Sequence, residues 1–370
     1  MMNKILMCIA WLSVFLMAGL CGCDNKLGEK IPDDYFDDQN GGLAASYIFK
    51  KGDDNYSCFR IPALVKTTNG VLLAFAEARK NSCSDAGDID MVLKRSEDGG
   101  KSWSDMVVLW DEGEHTCGNP APVVDEQTGD IHLLACLDND RVFVLSSTDN
   151  GVKWSEPREI TSTVKKENWT WYATGPVHGI QLKKGTNAGR LVVACDHTGD
   201  AHTIYSADHG ETWKLGGITE HPVFHPNEST VAELSDGRLM LNMRCSNSNN
   251  RRLTSVSDDG GMSWSTPQVN ETLIDPVCQG SSYSATSADG VHRLFFANPA
   301  HESSRRNMTL RLSTDDGKTF SKSYTVYTEF AAYSDMTLLD DDRMAMLYER
   351  GAADANEGIV FEIIPLSNLN

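Results

Sequence analysis

Short apolar runs separated by polar turns dominate the chain from about residue 46 onward. Two apolar runs flank each turn, as residues 230–234 and 238–243 do around Ser235-Asp236-Gly237. Glycine, asparagine, aspartate and serine readily adopt the backbone angles of tight turns, so the pattern predicts β-hairpins. Six such turns occur in succession, at Asn69-Gly70, Thr128-Gly129-Asp130, Asn187-Ala188-Gly189, Ser235-Asp236-Gly237, Ala288-Asp289-Gly290 and Asp340-Asp341-Asp342.

A second pattern, Ser-x-Asp-x-Gly-x-x-aromatic, repeats in phase with the hairpins. Its five copies begin 51, 59, 51 and 56 residues apart, at residues 96–103, 147–154, 206–213, 257–264 and 313–320. The Asp can accept backbone N–H groups, the Gly allows a positive φ, and the aromatic ring can pack into a sheet. A period of this length is typical of propeller blades or solenoid turns, and closure of blades into a ring removes the sheet edges. We therefore predict an all-β fold, a six-bladed β-propeller of four-stranded antiparallel blades over residues 46–370. The two chain ends would meet in the last blade, which lacks the pattern.

Strand direction in such blades predicts where functional residues gather. Residues that precede first strands or follow second strands share one face, whereas the Ser-x-Asp turns lie on the opposite face. The polar residues in these positions are Arg60, Glu77, Arg79, Asp85, Asp88, Asp90, Asn119, Glu228, Arg244, Arg305, Arg306, Tyr333, Glu349 and Arg350. On the same face of the third blade, four rings either line a pocket or pack a loop: Trp169, Trp171, Tyr172 and His178.

The first 22 residues have the pattern of an export signal. Lys4 precedes an apolar run over residues 5–20, which is shorter than a confident membrane span. The run ends in Leu20-Cys21-Gly22-Cys23, which resembles the lipobox of bacterial lipoproteins. That resemblance implies lipidation of Cys23, an acidic tether over residues 23–45 and a place in the bacterial cell envelope, periplasmic or at the cell surface. A simple secretory peptide and an uncleaved anchor are the alternatives.

Composition limits the class of partner. The chain has 33 basic and 52 acidic residues, a net charge of −19, and no basic run, which argues against nucleic-acid binding. Acidic charge also repels anionic ligands at long range, although salt screens this beyond about 8 Å. Seven cysteines follow Cys23 without any C-x-x-C, and the histidines lack zinc-helix spacing. We therefore expect mostly buried cysteines, neither a disulfide framework nor a metal site, and no cofactor.

Taken together, these motifs resemble the bacterial exo-α-sialidase (neuraminidase) family. The resemblance rests on Arg60-Ile61-Pro62, on the Ser-x-Asp turns (the Asp boxes of that family), and on Tyr333-Ser334-Asp335 followed by Leu347-Tyr348-Glu349. It implies a monomeric glycosidase that hydrolyses terminal α-linked sialic acid from glycoproteins, glycolipids or oligosaccharides with retention. A trans-sialidase, an anhydro-forming intramolecular sialidase and a non-catalytic sialoglycan-binding propeller are the alternatives.

The resemblance also implies how the substrate carboxylate is bound. Arg60, Arg244 and Arg305 look like the three arginines that grip it, and Arg306 is the rival of Arg305. A planar guanidinium forms paired hydrogen bonds with a carboxylate, so arginine suits this task. Glu349 looks like the carboxylate that orients Arg60.

The reacting groups are implied in the same way. Tyr333 resembles the nucleophile, Glu228 its base partner and Asp85 the general acid/base, with Asp88 as the rival of Asp85. A neutral phenol can approach an anomeric carbon that already bears a carboxylate without charge repulsion, and sialidases are the known tyrosine exception among glycosidases. Two further residues resemble positions that contact the sugar, Arg79 and Gln279.

Overall fold

The structure is a computed structural model that describes residues 36–37 and 42–369. The fold is all-β, and its only α-helix among these residues is one turn, Thr161–Val164. Four 3-10 turns lie at Asp53–Asn55, Gly185–Asn187, Ala355–Glu357 and Leu366–Asn368. The strands are β1 (Phe36–Asp37), β2 (Gly42–Lys50), β3 (Cys58–Lys66), β4 (Leu72–Arg79), β5 (Ile89–Ser96), β6 (Val107–Trp110), β7 (Cys117–Val124), β8 (Ile131–Leu137), β9 (Arg141–Ser147), β10 (Arg158–Glu159), β11 (Tyr172–Thr174), β12 (Ile180–Gln181), β13 (Leu191–His197), β14 (Asp200–Ser206), β15 (Lys214–Ile218), β16 (Pro226–Glu233), β17 (Leu239–Cys245), β18 (Arg251–Ser257), β19 (Gln268–Ile274), β20 (Ser281–Thr286), β21 (His292–Pro299), β22 (Arg306–Ser313), β23 (Lys322–Asp340), β24 (Arg343–Gly351) and β25 (Gly358–Pro365).

The predicted signal segment over residues 1–22, the lipidation site Cys23 and most of the tether lie outside the described residues. The propeller was predicted to begin at residue 46, which falls inside β2. Within the described part of the chain, no helix has the length and apolar character needed to cross a membrane.

Four-stranded antiparallel sheets arranged as in a propeller make up the fold. The sheets β3–β6, β7–β10 and β16–β19 each have four strands in chain order, and a fourth sheet holds β11 to β15. Their central strands are almost wholly buried, as in β4 and β8. Apolar side chains of neighbouring sheets pack together, since one core cluster combines Phe75 from β4 with Leu133 from β8. The hydrophobic core therefore lies between successive sheets.

The fifth sheet has eight strands, where the sequence predicted two separate blades. β23 is continuous over 19 residues; its first part pairs with β22 and its second part pairs with β24. The two pairings meet at Phe330, which lies opposite Arg306 of β22 and Gly351 of β24. The two parts form one sheet because backbone hydrogen bonding continues along β23, from its pairing with β22 to its pairing with β24.

The two ends of the chain meet in this eight-stranded sheet. β2, near the N-terminus, pairs antiparallel with β25 near the C-terminus, with Leu43 opposite Ile363. β25 in turn pairs with β24. An edge strand would otherwise expose unpaired N–H and C=O groups, and the pairing of the ends removes one such edge.

The five Ser-x-Asp turns share one set of hydrogen bonds. In each, the Ser hydroxyl donates to the Asp and accepts from the Gly N–H, as in Ser257 to Asp259 (2.8 Å) and Gly261 to Ser257 (2.9 Å). The Asp also accepts a backbone N–H four residues later, at 2.8 to 2.9 Å in all five copies. The Gly has a positive φ each time, 87° at Gly261. The motif thus satisfies the polar groups of its own turn.

Replacing Asp259 by alanine should destabilise the protein by about 1–3 kcal/mol, because several donors of the turn lose their hydrogen bonds to a charged acceptor. Asp259 accepts from Met262 N, Ser263 N (both 2.9 Å) and the Ser257 hydroxyl. These hydrogen bonds outweigh burial and lower the pKa of Asp259. The carboxylate therefore stabilises the fold above the unfolded pKa of about 3.9, and its contribution is lost as the pH falls through the lower folded value. Urea unfolding at several pH values measures this.

The neighbour Asp258 supplies the control. Its side chain is 84% exposed and reaches Arg238 only at 4.0 Å. Asp258→Ala should change the unfolding free energy by less than about 0.5 kcal/mol. Two outcomes would contradict a stabilising role for the Asp259 carboxylate. One is an equal loss of unfolding free energy in both variants, and the other is a loss in Asp259→Ala that does not become smaller below pH 4.

The cysteines divide into one disulfide and a buried set. Cys58 and Cys83 form a disulfide, 25 residues apart in the chain. The sequence missed this pair, because an odd number of widely spaced cysteines gives no pairing signal. The prediction of burial is confirmed for the other five, Cys117, Cys136, Cys195, Cys245 and Cys278.

Candidate active site

A cavity of about 270 Å³ lies where first strands begin and second strands end, on the face that the sequence predicted to be functional. Seven of the predicted site residues line it: Arg60, Arg79, Asp85, Glu228, Arg244, Arg305 and Tyr333. The other lining residues are Ile61, Glu77, Thr116, Asn119, Asn139, Trp171, Ala173, Asp196 and Asn227. The strands therefore bring together residues as far apart in sequence as Arg60 and Tyr333.

Tyr333 and Glu228 form the centre of the cavity. The Tyr333 hydroxyl donates a hydrogen bond to Glu228 Oε1. Arg244 Nη1 lies 2.6 Å from Glu228 Oε2 and 3.3 Å from the Tyr333 hydroxyl oxygen. Burial, and then the charge of Glu228, raise the pKa of Tyr333 well above its usual value, against the opposing effect of Arg244. The phenol is therefore neutral at rest, with a carboxylate in place to accept its proton.

Three guanidinium groups surround this phenol. The Arg60 and Arg305 guanidinium carbons lie 5.0 and 5.6 Å from the centre of the Tyr333 ring, and Arg244 contacts its hydroxyl. Arg305 donates to Val277 O at 3.3 Å and has no carboxylate partner among the described residues. Its positive charge is thus available to an anionic ligand.

Glu349, which does not line the cavity itself, holds Arg60 in one orientation. Its two oxygens accept from Arg60 Nε and Nη2, both at 3.1 Å, and it is fully buried. Glu349 also accepts from Ile61 N (2.9 Å) and Tyr333 N (3.3 Å). One buried carboxylate therefore positions an arginine and the backbone of the tyrosine together.

Gln279 has a different place from the one expected of a sugar contact. It is buried, lies outside the cavity lining, and holds Ser334 by donating to its carbonyl (3.0 Å) and accepting from its N–H (2.9 Å). Ser334 follows Tyr333 directly in the chain. Gln279 therefore supports the backbone beside the tyrosine and does not itself face the cavity.

Asp85 stands on the loop between β4 and β5, at the rim of the cavity. Its side chain is 81% exposed and bridges Arg79 Nη1 (2.7 Å) and Arg60 Nη1 (3.2 Å). Partial burial raises the pKa of Asp85, but the hydrogen bond and charge of Arg79 and the charge of Arg60 outweigh it and lower the pKa overall. Without an anionic ligand, Asp85 is therefore ionised.

The rivals of Asp85 and Arg305 are held elsewhere. Asp88 lies 3.0 Å from the Lys80 ammonium, outside the cavity lining. Arg306 stacks on Phe330, with 3.9 Å between guanidinium carbon and ring centre, and reaches Glu329 at 3.4 Å. These contacts therefore hold Asp88 and Arg306 outside the cavity, whereas Asp85 and Arg305 line it.

Among the described residues, one group of carboxylates has the spacing of metal ligands, Asp88, Asp90 and Asp111. The Lys80 ammonium lies 3.0, 3.2 and 3.5 Å from these three residues. The positive charge of Lys80 therefore offsets part of the negative charge of this group.

The sequence missed Asp196, Asn139 and Asn227 in the cavity lining. Asp196 is 3% exposed; its Oδ2 accepts from Trp171 Nε1 at 3.1 Å, and its Oδ1 has no partner among the described residues. Burial, and then the charge of Glu228, raise the pKa of Asp196 well above its usual value. Asp196 lies near the end of β13, a position equivalent to that of Arg244 in β17, so the strand-direction rule could have found it.

The aromatic residues of the third sheet have separate roles. Trp171 is 45% exposed and lines the cavity. Trp169 stacks on His197 with 3.6 Å between ring centres, and Tyr172 is fully buried. His178 bonds to Asp335 at 2.6 Å and lines a different cavity. Of the two interpretations, pocket lining therefore fits Trp171, and packing fits Trp169 and Tyr172.

Comparison with known proteins agrees with this geometry. The BNR repeat-like domain family matches residues 70–346. A sialidase of Bacteroides fragilis is 30% identical over 355 residues, which cover 86% of this chain and 64% of the relative. A sialidase of Micromonospora viridifaciens is 32% identical over 334 residues, covering 81% and 51%. The chain thus spans between half and two thirds of the length of these relatives.

Among solved structures, the Hadza microbial sialidase Hz136 superimposes with a TM-score of 0.80 at 30% identity. The superposition covers 89% of this chain and 70% of that chain. The repeat match, the relatives and this superposition each extend over most of the chain. The chain belongs to the sialidase family and has its propeller fold.

Proposed function

We propose that this protein is an exo-α-sialidase, which hydrolyses terminal α-linked sialic acid with retention through a tyrosyl-enzyme intermediate. The observation that carries the proposal is the centre of the cavity, where three arginines surround a neutral tyrosine bonded to a carboxylate. Sialic acid bears a carboxylate on its anomeric carbon, so a cationic pocket around a nucleophile fits this substrate. Its sources would be sialylated glycoproteins, glycolipids or oligosaccharides.

Substrate binding would place the carboxylate between Arg60, Arg244 and Arg305. Glu349 already holds Arg60 in one orientation, so little side-chain entropy is lost on binding. The anomeric carbon, one bond away from the carboxylate, would then face the Tyr333 hydroxyl. Such fixed geometry converts a bimolecular reaction into a nearly unimolecular one.

The nucleophile would be the Tyr333 oxygen. As it attacks the anomeric carbon, its proton would pass to Glu228 Oε1 along the existing hydrogen bond. Arg244, 3.3 Å from the same oxygen, would stabilise the charge that develops on it. The glycosidic bond breaks as the bond to tyrosine forms, and attack by water on the opposite face restores the original configuration.

Asp85 would protonate the leaving oxygen and later deprotonate the attacking water. A general acid must be protonated, yet the arginines lower the pKa of Asp85 in the empty site. The bound substrate carboxylate would neutralise Arg60 and add a like charge near Asp85, and both effects raise its pKa. Substrate binding would thus favour the protonated form of Asp85, which is the form that a general acid requires.

The proposal is tested with a fluorogenic α-sialoside and two neighbouring variants. Arg305→Ala should lower kcat/KM at least about thirtyfold, the effect of losing about 2 kcal/mol of contact to a charged partner. Arg306→Ala should change it less than about threefold, since exposed ion pairs contribute little. No release of fluorophore by the wild type, or equal losses in the two variants, would contradict the proposal.

Analysis of the released sugar separates hydrolysis from the alternatives. Free sialic acid indicates hydrolysis, a product lighter by one water indicates an intramolecular reaction, and sialylated lactose in the presence of lactose indicates transfer. Binding without any product would indicate a sugar-binding propeller.

Three further properties belong to the proposal. We infer six blades, counting each part of β23 as a strand of its own blade in the eight-stranded sheet. Export and a lipid anchor on Cys23 are supported by the sequence at residues 20–23. A monomeric state rests on the resemblance to the sialidase family alone. The Cys58–Cys83 disulfide also fits export, since disulfides persist mainly in oxidising compartments.

A further inference from the structure

The Cys58–Cys83 disulfide lies at the base of the loop that carries Asp85. Cys58 is fully buried at the start of β3, in register with Arg79, the last residue of β4. Cys83 lies in the middle of the loop over residues 80–88, two residues before Asp85. The disulfide therefore fastens the loop to the sheet next to the proposed acid.

Hydrogen bonds link the same part of the loop to the cavity. Arg79 Nη1 donates to the carbonyls of Cys83 (2.8 Å) and Ser84 (3.0 Å) and to Asp85 Oδ1 (2.7 Å). The guanidinium thus binds Asp85 and the backbone before it as one unit. Because the Asp85 side chain is 81% exposed, packing does little to fix it. Its position depends on the ion pairs with Arg60 and Arg79 and on the backbone at residues 83–85.

The other half of the loop is held separately. Gly87 N donates to the Thr116 hydroxyl at 3.0 Å, and that hydroxyl donates to Gly87 O at 2.9 Å. Lys80 N donates to Asp88 O at 3.1 Å and closes the base of the loop. Between these contacts, the disulfide is the covalent restraint on the segment that presents Asp85.

We propose that the Cys58–Cys83 disulfide positions Asp85 for protonation of the leaving group, so that its reduction selectively impairs the cleavage of glycosides with poor leaving groups. The inference rests on the proposed function and extends it to redox sensitivity. A dithiol reductant would supply two electrons and two protons, become a disulfide itself and leave two thiols at Cys58 and Cys83. Residues 83–85 would then gain freedom, and the carboxyl group would spend less time beside the leaving oxygen.

Leaving-group dependence distinguishes this role from simple loss of structure. An alkoxide leaving group, as in a sialyl-lactose, needs protonation, whereas an aryl oxide such as 4-methylumbelliferone leaves with little help. General acid catalysis contributes about 10²- to 10⁴-fold when it operates. A misplaced acid therefore slows the first substrate and spares the second. Collapse of the arginine pocket would slow both substrates alike.

The test compares kcat/KM for 3′-sialyllactose and 4-methylumbelliferyl sialoside, because kcat/KM reports steps up to glycosidic cleavage. Full-length protein is assayed oxidised and after dithiol treatment, with loss of the Cys58–Cys83 link verified by mass spectrometry of alkylated peptides. We expect about a tenfold or greater loss on the lactoside and less than about twofold on the aryl sialoside. Cys83→Ser, which leaves the buried Cys58 in place, should reproduce this pattern without reductant.

Cys136→Ala is the matched control, since it removes a buried cysteine of β8 that forms no disulfide. Its ratio of the two kcat/KM values should equal that of the wild type, and reductant should shift both proteins alike. Equal losses on both substrates, or no loss on the lactoside after verified reduction, would overturn the positioning role. An oxidised wild type that cleaves neither substrate would instead contradict the proposed function.

Discussion

Replacing Tyr333 by phenylalanine should reduce the release of 4-methylumbelliferone from its α-sialoside at least about a thousandfold, because the proposed route through a tyrosine nucleophile and its base would be lost. The ring remains, so its contacts with the Arg60 and Arg305 guanidinium groups persist. The pocket should therefore still bind sialic acid. Steady-state fluorimetry measures the rate, and calorimetric titration measures the binding.

Tyr283→Phe is the control for this experiment. Tyr283 lines the other cavity, beside His178, and is not in contact with the proposed reacting groups. Its variant should retain wild-type release within about twofold, since few surface or remote changes exceed 0.5 kcal/mol. If Tyr333→Phe kept a tenth or more of the wild-type rate, a tyrosyl-enzyme intermediate would be ruled out.

Replacing Glu349 by glutamine should destabilise the protein by about 3–5 kcal/mol, the usual cost of breaking a buried ion pair from one side. The Arg60 cation would lose its buried counter-charge, and the new amide would present donors where the Arg60 and Tyr333 donors now point. Substrate binding should weaken as well, because Arg60 would no longer be held in one orientation. Urea unfolding and the KM for the fluorogenic sialoside measure the two effects.

Glu329→Gln tests whether replacing any glutamate that pairs with an arginine lowers stability and weakens substrate binding in the same way. Glu329 is about half exposed and reaches Arg306 at 3.4 Å. Its loss should change the unfolding free energy by less than about 1 kcal/mol and leave KM unchanged. A Glu349→Gln protein with wild-type stability and KM would show that Glu349 does not support the arginine.

Much of the architecture could be predicted because its determinants are local. Each Ser-x-Asp turn satisfies its own polar groups within a few residues, as Asp259 does through Ser257 and Ser263, so five copies mark five similar turns. The alternation of apolar runs and turns then predicts antiparallel sheets. Strand direction predicts the shared face on which Arg60 and Tyr333 occur. None of these predictions depends on which sheets lie next to each other in the fold.

Other features escaped because they depend on distant partners. Cys58 and Cys83 carry no local pairing signal, and their bond follows from how the loop after β4 folds back. The contact of Asp196 with Trp171 also follows from the fold, although the place of Asp196 near the end of β13 already puts it on the predicted face. The continuity of β23 across two partners depends on register with β22 and β24 and not on its own composition.

The sequence by itself determined the all-β repeat, the functional face and the residue types that gather there, since these follow from short-range periodicity and turn chemistry. Only the tertiary structure decided which of two nearby carboxylates lies at the cavity: Lys80 pairs with Asp88 outside it, while Asp85 lies against Arg60 and Arg79. It also shows the contact of Arg60 with Glu349, 289 residues away, which the family resemblance implied. Such contacts are fixed by the packing of sheets and the meeting of chain ends, whose geometry no local stretch of sequence specifies.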